Sequence, residues 1–114
     1  MKKILLVDDE ISIRDVFAEI LQDEGYEVSS VENGVQGLEA LKTKTFDLIL
    51  VDKKMPGIDG LDFIRQVRSM KLPTKIVLIS GSISEHPLKE VDAYLSKPCE
   101  IEQLLEMVKK MLGL

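Results

Sequence analysis

The feature that most constrains this chain is a repeated alternation of short apolar runs with stretches of helical periodicity. Ile4 to Val7 is an apolar run of strand length, and Ile13, Phe17, Ile20 and Leu21 then recur at helical spacing until Gly25 ends the helix. Tyr26 to Val31 alternates like a strand. Asn33-Gly34 marks a turn, and Val35, Leu38 and Leu41 line one helix face. Leu48 to Val51 is a buried-type strand. Met55-Pro56-Gly57 breaks the chain, and Leu61, Ile64 and Val67 mark a third helix. Pro73 precedes a further buried-type strand, Ile76 to Ile79, and Ala93 to Ser96 forms a short last one. Ile101, Leu104, Leu105, Val108 and Leu112 give the clearest amphipathic helix in the chain.

Strands that alternate with helices imply right-handed crossovers and a parallel sheet covered on both faces. Three of the strands are apolar throughout, as burial on both faces requires. The pattern predicts an α/β, doubly wound, five-stranded parallel sheet, and analogy supplies the flavodoxin-like order 2-1-3-4-5. One stretch is cramped. Residues 81–96 must hold a loop, a helix and a strand, and Pro87 cannot lie deep in a helix. The fourth helix is therefore expected to be shortened, starting near Pro87.

A length of 114 residues suits a single domain over 1–114, and 45% hydrophobic residues can build its core. With Cys99 the lone cysteine, no intrachain disulfide and no cysteine metal site are expected. The apolar run after Lys2-Lys3 spans only Ile4 to Val7 and ends in Asp8-Asp9-Glu10, which argues against a secretory signal. No apolar stretch approaches membrane-spanning length, so a cytoplasmic setting without membrane contact is expected. The formal net charge of -5 disfavours direct nucleic-acid binding, which rests on Lys and Arg neutralising phosphates.

In an open α/β sheet, ligands bind outside the carboxyl ends of the strands. There the first strand delivers Asp8 and Asp9, the third Asp52, the fourth Ser80 and the fifth Lys97. With the first and third strands adjacent, three carboxylates converge and repel one another. A hard divalent cation with oxygen ligands resolves the conflict, and Mg²⁺ suits it, or another such cation as Mn²⁺. A carboxylate can attack phosphorus to give an aspartyl phosphate. Lys97 could neutralise the charge that develops, and the Ser80 hydroxyl could donate to a phosphoryl oxygen. Taken singly, each group has a plainer explanation. Asp8-Asp9 could be a solvated turn or cap, Asp52 and Ser80-Gly81 ordinary turn residues, and Lys97-Pro98 a helix start. The joint placement at four strand ends is what points to a site.

The segments Ile4-Leu5-Leu6-Val7-Asp8-Asp9-Glu10, Asp52 to Gly60 and Tyr94-Leu95-Ser96-Lys97-Pro98 carry a resemblance that covers essentially the whole chain. Together they resemble the receiver domain of two-component response regulators. The resemblance implies that Asp52 is the phosphoacceptor, fed by a phosphohistidine on a sensor histidine kinase or a phosphotransfer protein. It implies that Asp8, Asp9 and Asp52 hold Mg²⁺ together with the backbone carbonyl of Lys54. Ser80 and Tyr94 fall on the switch pair, and Lys97 on the motif lysine, whose bond to Pro98 would be cis. The expected role is a signalling phosphoacceptor rather than an enzyme, with phosphotransfer and autodephosphorylation only, and a downstream effector protein or domain as output.

The chain also departs from that family. The Ser80–Lys97 segment is about one helical turn shorter than the family would have it, which unsettles the usual output face. Lys53 and Lys54 follow Asp52 where the first position is more often apolar, and Cys99 follows Pro98 where an aromatic is common. Cys99 reads as a small packed or part-exposed side chain. His86, beside Pro87, reads as a surface-loop residue. Two other functions fit the same fold. One is a phosphorylation-independent interaction module, which a missing acidic residue or Lys97 would have favoured. The other is an aspartyl-phosphate hydrolase, against which Lys54 stands where a general acid would be needed.

Overall fold

Five parallel strands form one sheet in the order β2-β1-β3-β4-β5 in the computed structural model, which describes residues 1–81 and 89–114. The strands are β1 (Lys3–Val7), β2 (Glu27–Val31), β3 (Leu48–Asp52), β4 (Lys75–Ser80) and β5 (Ala93–Ser96). The described residues hold four helices: α1 (Ile11–Asp23), α2 (Gly34–Thr43), α3 (Gly60–Ser69) and α4 (Ile101–Leu112). The expected architecture and strand order are both present. The short helix expected near Pro87, and His86 with it, lie outside the described residues.

The sheet is buried on both faces because Ile4–Val7, Leu48–Val51 and Ile76–Ile79 of its central strands are apolar throughout, and successive side chains point to opposite sides. Leu5, Val7, Ile49, Val51, Ile76 and Leu78 meet Leu41 of α2 and Phe63, Ile64 and Val67 of α3. Ile4, Leu6, Leu48, Leu50, Val77 and Ile79 meet Leu21 of α1 and Leu104 and Val108 of α4. Burying a side chain of this kind contributes about 1.5–3 kcal/mol, so these two layers dominate the folding energy.

The helices start where the sequence marks them. The Asn33 side chain accepts from the Gln36 N–H at 2.9 Å, and Asp59 from the Asp62 N–H at 2.9 Å. At α4 the Gln103 side chain accepts from the Glu100 N–H at 2.9 Å. That helix begins at Ile101, three residues after Pro98, so Lys97-Pro98 is not its first turn. Two expected core residues lie outside the core: Val35 is 54% exposed and Ile101 52%. Each sits in the first turn of its helix, and Val35 lines an open groove at the edge strand β2 with Ser29 and Val31. Among the described residues no helix is long and apolar enough to cross a membrane.

Candidate functional site

The carboxyl ends of β1, β3, β4 and β5 bring four of the expected groups to one edge of the sheet. Asp8 and Asp52 follow or end fully buried runs, and are themselves buried at 0% and 6% exposure. Ser80 ends β4 and is buried, one residue beyond Ile79, the register partner of Asp52. Lys97 follows β5, and its N–H donates to the Ser80 carbonyl at 2.9 Å. Its peptide bond to Pro98 is cis.

Asp8 is held from several sides. Its N–H donates to the Val31 carbonyl at 3.1 Å, and its own carbonyl accepts from Arg14 Nη1 at 2.8 Å. Oδ1 accepts from the Glu10 N–H at 2.9 Å, leaving Oδ2 turned toward Lys97. The chain after Asp52 is fixed just as closely. The Lys53 N–H donates to the Ile79 carbonyl, and the Gly60 N–H to the Lys53 carbonyl, both at 2.9 Å. A Cβ on Gly60 would lie 2.5 Å from the Asp52 carbonyl oxygen and 2.8 Å from Lys53 Cα. Only glycine lets the start of α3 approach this closely, and backbone atoms on both sides leave nothing flexible to yield.

Lys97 Nζ stands 3.3 Å from Asp52 Oδ2, 3.4 Å from Asp8 Oδ2 and 3.5 Å from Glu10 Oε1. One ammonium is thus shared among three carboxylates, none at the distance of a strong charge-assisted hydrogen bond. Burial pushes the Asp52 carboxyl above its ordinary value of 3.8, with Asp8 and Asp9 adding to the rise and Lys97 opposing it. For Lys97, burial favours the neutral amine, but Asp8, Asp52 and Glu10 outweigh it and hold its pKa above 10.5. The ammonium is therefore secure, and the excess charge is negative.

That excess is the test of fit for a cation. Oxygens of Asp8, Glu10 and Asp52 lie within 4.8 Å of one another, a set of hard donors that suits Mg²⁺ or Mn²⁺. Glu10 was not anticipated as a member. Its exposed position at the start of α1 reads in sequence as a helix cap, yet its side chain makes no capping bond and reaches the site instead. Asp9 is exposed and stands outside that group. It borders an adjoining groove with Lys53, Lys54, Met55 and Asp59, while still raising the Asp52 pKa.

Tyr94 is half-buried in β5, two register steps back from Ser96, and packs against the layer beneath α2 and α3. Cys99 is also half-buried, against the α1 and α4 layer, and burial pushes its thiol pKa up.

Comparison with known proteins agrees with this geometry. The response regulator receiver domain family matches residues 4–109. Sporulation initiation phosphotransferase F of Bacillus subtilis is 32% identical, over 99% of this chain and 95% of that one. Response regulator ArlR of Staphylococcus saprophyticus is 34% identical, but this chain spans only 53% of its length. Among solved structures, response regulator protein TrrA of Thermotoga maritima, in complex with Mg²⁺-BeF, superposes with a TM-score of 0.90 at 39% identity, covering 98% of this chain and 100% of that one. A complex of TrrA with histidine kinase ThkA gives a TM-score of 0.87 at 38% identity, covering 98% and 99%.

Proposed function

Because this chain belongs to the response regulator receiver domain family, we propose that it accepts a phosphoryl group on Asp52 from a phosphohistidine of a sensor kinase or phosphotransfer protein. The observation that carries this is the placement of Asp52. It is a buried carboxylate at a strand end, with one ammonium 3.3 Å away and further acidic groups around it.

Each side chain has a definite part. An Asp52 oxygen attacks the phosphorus, and its bond forms as the phosphorus–nitrogen bond breaks, with the imidazole leaving on the opposite side. Lys97 keeps its charge throughout and pairs with the phosphoryl oxygens. Ser80, at the end of β4, donates its hydroxyl to one of them, and Tyr94 changes packing as Ser80 moves. Asp8, Asp9 and Asp52, with the Lys54 carbonyl, would hold the divalent cation, and Glu10 lies close enough to join them. Bound there, Mg²⁺ would supply the positive charge that the acidic groups lack and that a transferring phosphoryl group demands. The Lys53 and Lys54 side chains stand beside the groove next to Asp9 and add positive potential to the donor's approach.

The receiver unit takes in residues 1–114, works in the cytoplasm, and passes its state to a downstream protein or domain. Turnover is confined to gaining and losing this one phosphate. Incubation with radiolabelled acetyl phosphate tests the reading. Label should appear with Mg²⁺, vanish with a chelator, and vanish in Asp52→Asn. Label that ignores both treatments would overturn it, and steady hydrolysis of a phosphate ester would point to a hydrolase.

A further inference from the structure

The strand that delivers Lys97 is poorly specified by its own sequence. β5 is an edge strand of four residues, and Leu95 is its only buried residue. A slip of one residue would invert its faces and carry Lys97 away from Asp52. Something other than side-chain pattern must set its register.

The structure assigns that role to Arg68 and Asp92, at the opposite end of the sheet. The Asp92 N–H donates to the Ile76 carbonyl at 2.9 Å, and Asp92 Oδ2 accepts from the Ile76 N–H at 2.8 Å. Asp92 therefore clasps both polar groups of one residue of β4 immediately before β5 begins. Arg68, in the last turn of α3, holds the clasp. Its Nη2 donates to the same Asp92 oxygen at 2.8 Å, its Nε to the Glu90 carbonyl at 2.8 Å, and its Nη1 to the Thr74 carbonyl at 2.9 Å. One guanidinium thus joins the start of β4 to the stretch leading into β5 through three acceptors, a task its planar fork can perform and an ammonium cannot.

The consequence reaches the site. With Asp92 locked to Ile76, pairing runs Val77 to Ala93 through Ser80 to Ser96, and the Lys97 N–H meets the Ser80 carbonyl. The first turn of α3 meets the backbone beyond Asp52 through Gly60. One helix therefore ties the chain bearing Asp52 to the strand bearing Lys97. Arg68 is a positioning residue for Lys97, acting over roughly 16 Å, the rise of five strand residues. This inference rests on the reading of Lys97 as a phosphotransfer residue, but the register can be measured without it.

The test uses the full chain with Arg68→Lys, Arg68→Met and Asp92→Asn. The charge-retaining Arg68→Lys and the shape-retaining Asp92→Asn keep the question answerable if Arg68→Met fails to fold. The first readout is amide hydrogen exchange of Lys97, which needs no phosphodonor. Its protection should fall about tenfold or more in Arg68→Lys, and less in Asp92→Asn, which keeps an acceptor for Ile76. The second readout is acetyl phosphate labelling. The rate should fall about tenfold, while Mg²⁺ affinity does not weaken, because displacing the Lys97 ammonium leaves Asp8 and Asp52 freer for the cation. Wild-type protection of the Lys97 amide in every folded variant would overturn the inference. Lost protection with an unlabelled wild type would leave the register claim standing and remove the phosphotransfer reading instead.

Discussion

The two ends of the sheet use the same kinds of residue to opposite effect. At the amino end, the Arg68 donors and the Asp92 carboxylate are matched to partners at 2.8–2.9 Å. The buried Thr74 hydroxyl donates to the Phe46 carbonyl at 3.0 Å, and Asp47 Oδ2 accepts from the Lys3 N–H at 2.8 Å. At the carboxyl end, Lys97 faces three carboxylates at 3.3–3.5 Å. Balanced charge closes a structure, whereas surplus buried charge awaits a partner. The difference separates structural polar groups from functional ones more clearly than residue type or burial does.

Substitutions at the two ends should therefore respond differently. The largest loss is expected from Gly60→Ala. Its methyl would press on the Asp52 carbonyl and Lys53 Cα, and about 3 kcal/mol of stability should disappear, as chemical denaturation will show. Labelling should fall with it, because the backbone that must shift is the one bearing Asp52. Lys97→Met should cost about 2 kcal/mol in metal-free protein by leaving Asp8 and Asp52 without their cation. Added Mg²⁺ should restore part of that loss, a recovery readable in thermal melts. Thr74→Val probes the balanced end. It strands the Phe46 carbonyl for about 1 kcal/mol, yet labelling at saturating phosphodonor should match wild type.

The smallest expected effect is a slope with pH. Asp52 binds its proton more tightly in the folded chain than in the unfolded one, because burial raises its pKa above 3.8. Its contribution to stability is present at low pH and is lost as pH rises through the folded value. Lys97, also raised, contributes fully below 10.5 and loses that contribution only as pH climbs through its own folded value. Metal-free wild type should therefore shed stability on the alkaline side of pH 3.8 in urea titrations, relative to Asp52→Asn. A flat difference between the two would contradict the burial argument.

Much of this was legible in sequence for a physical reason. Apolar runs such as Leu48 to Val51 can be little else than strands buried on both faces, and their polar ends must then fall on one edge. Asp8, Asp52, Ser80 and Lys97 followed from that rule once the strand order was taken by analogy, and the same rule also named Asp9, which stands outside the cluster. Glu10 was missed because an exposed acidic residue at a helix start carries no mark of reaching across the site. Arg68 was missed because a charge in the last turn of a helix reads as solvated, and two of its three acceptors, Glu90 and Asp92, lie more than twenty residues away in sequence. Val35 and Ile101 misled because periodicity marks the apolar face of a helix but not whether its first turn is covered.

The carboxyl end holds a surplus of buried negative charge focused on Asp52, which a bound divalent cation would relieve. Thermal melts of wild type and Asp52→Asn at neutral pH, with and without Mg²⁺, test it most directly. Without the cation, Asp52→Asn should be the more stable. With Mg²⁺ at about 100 times its dissociation constant, wild type should gain about 2.7 kcal/mol and Asp52→Asn much less. A variant less stable than wild type without the cation, and equally stabilised by it, would contradict the account.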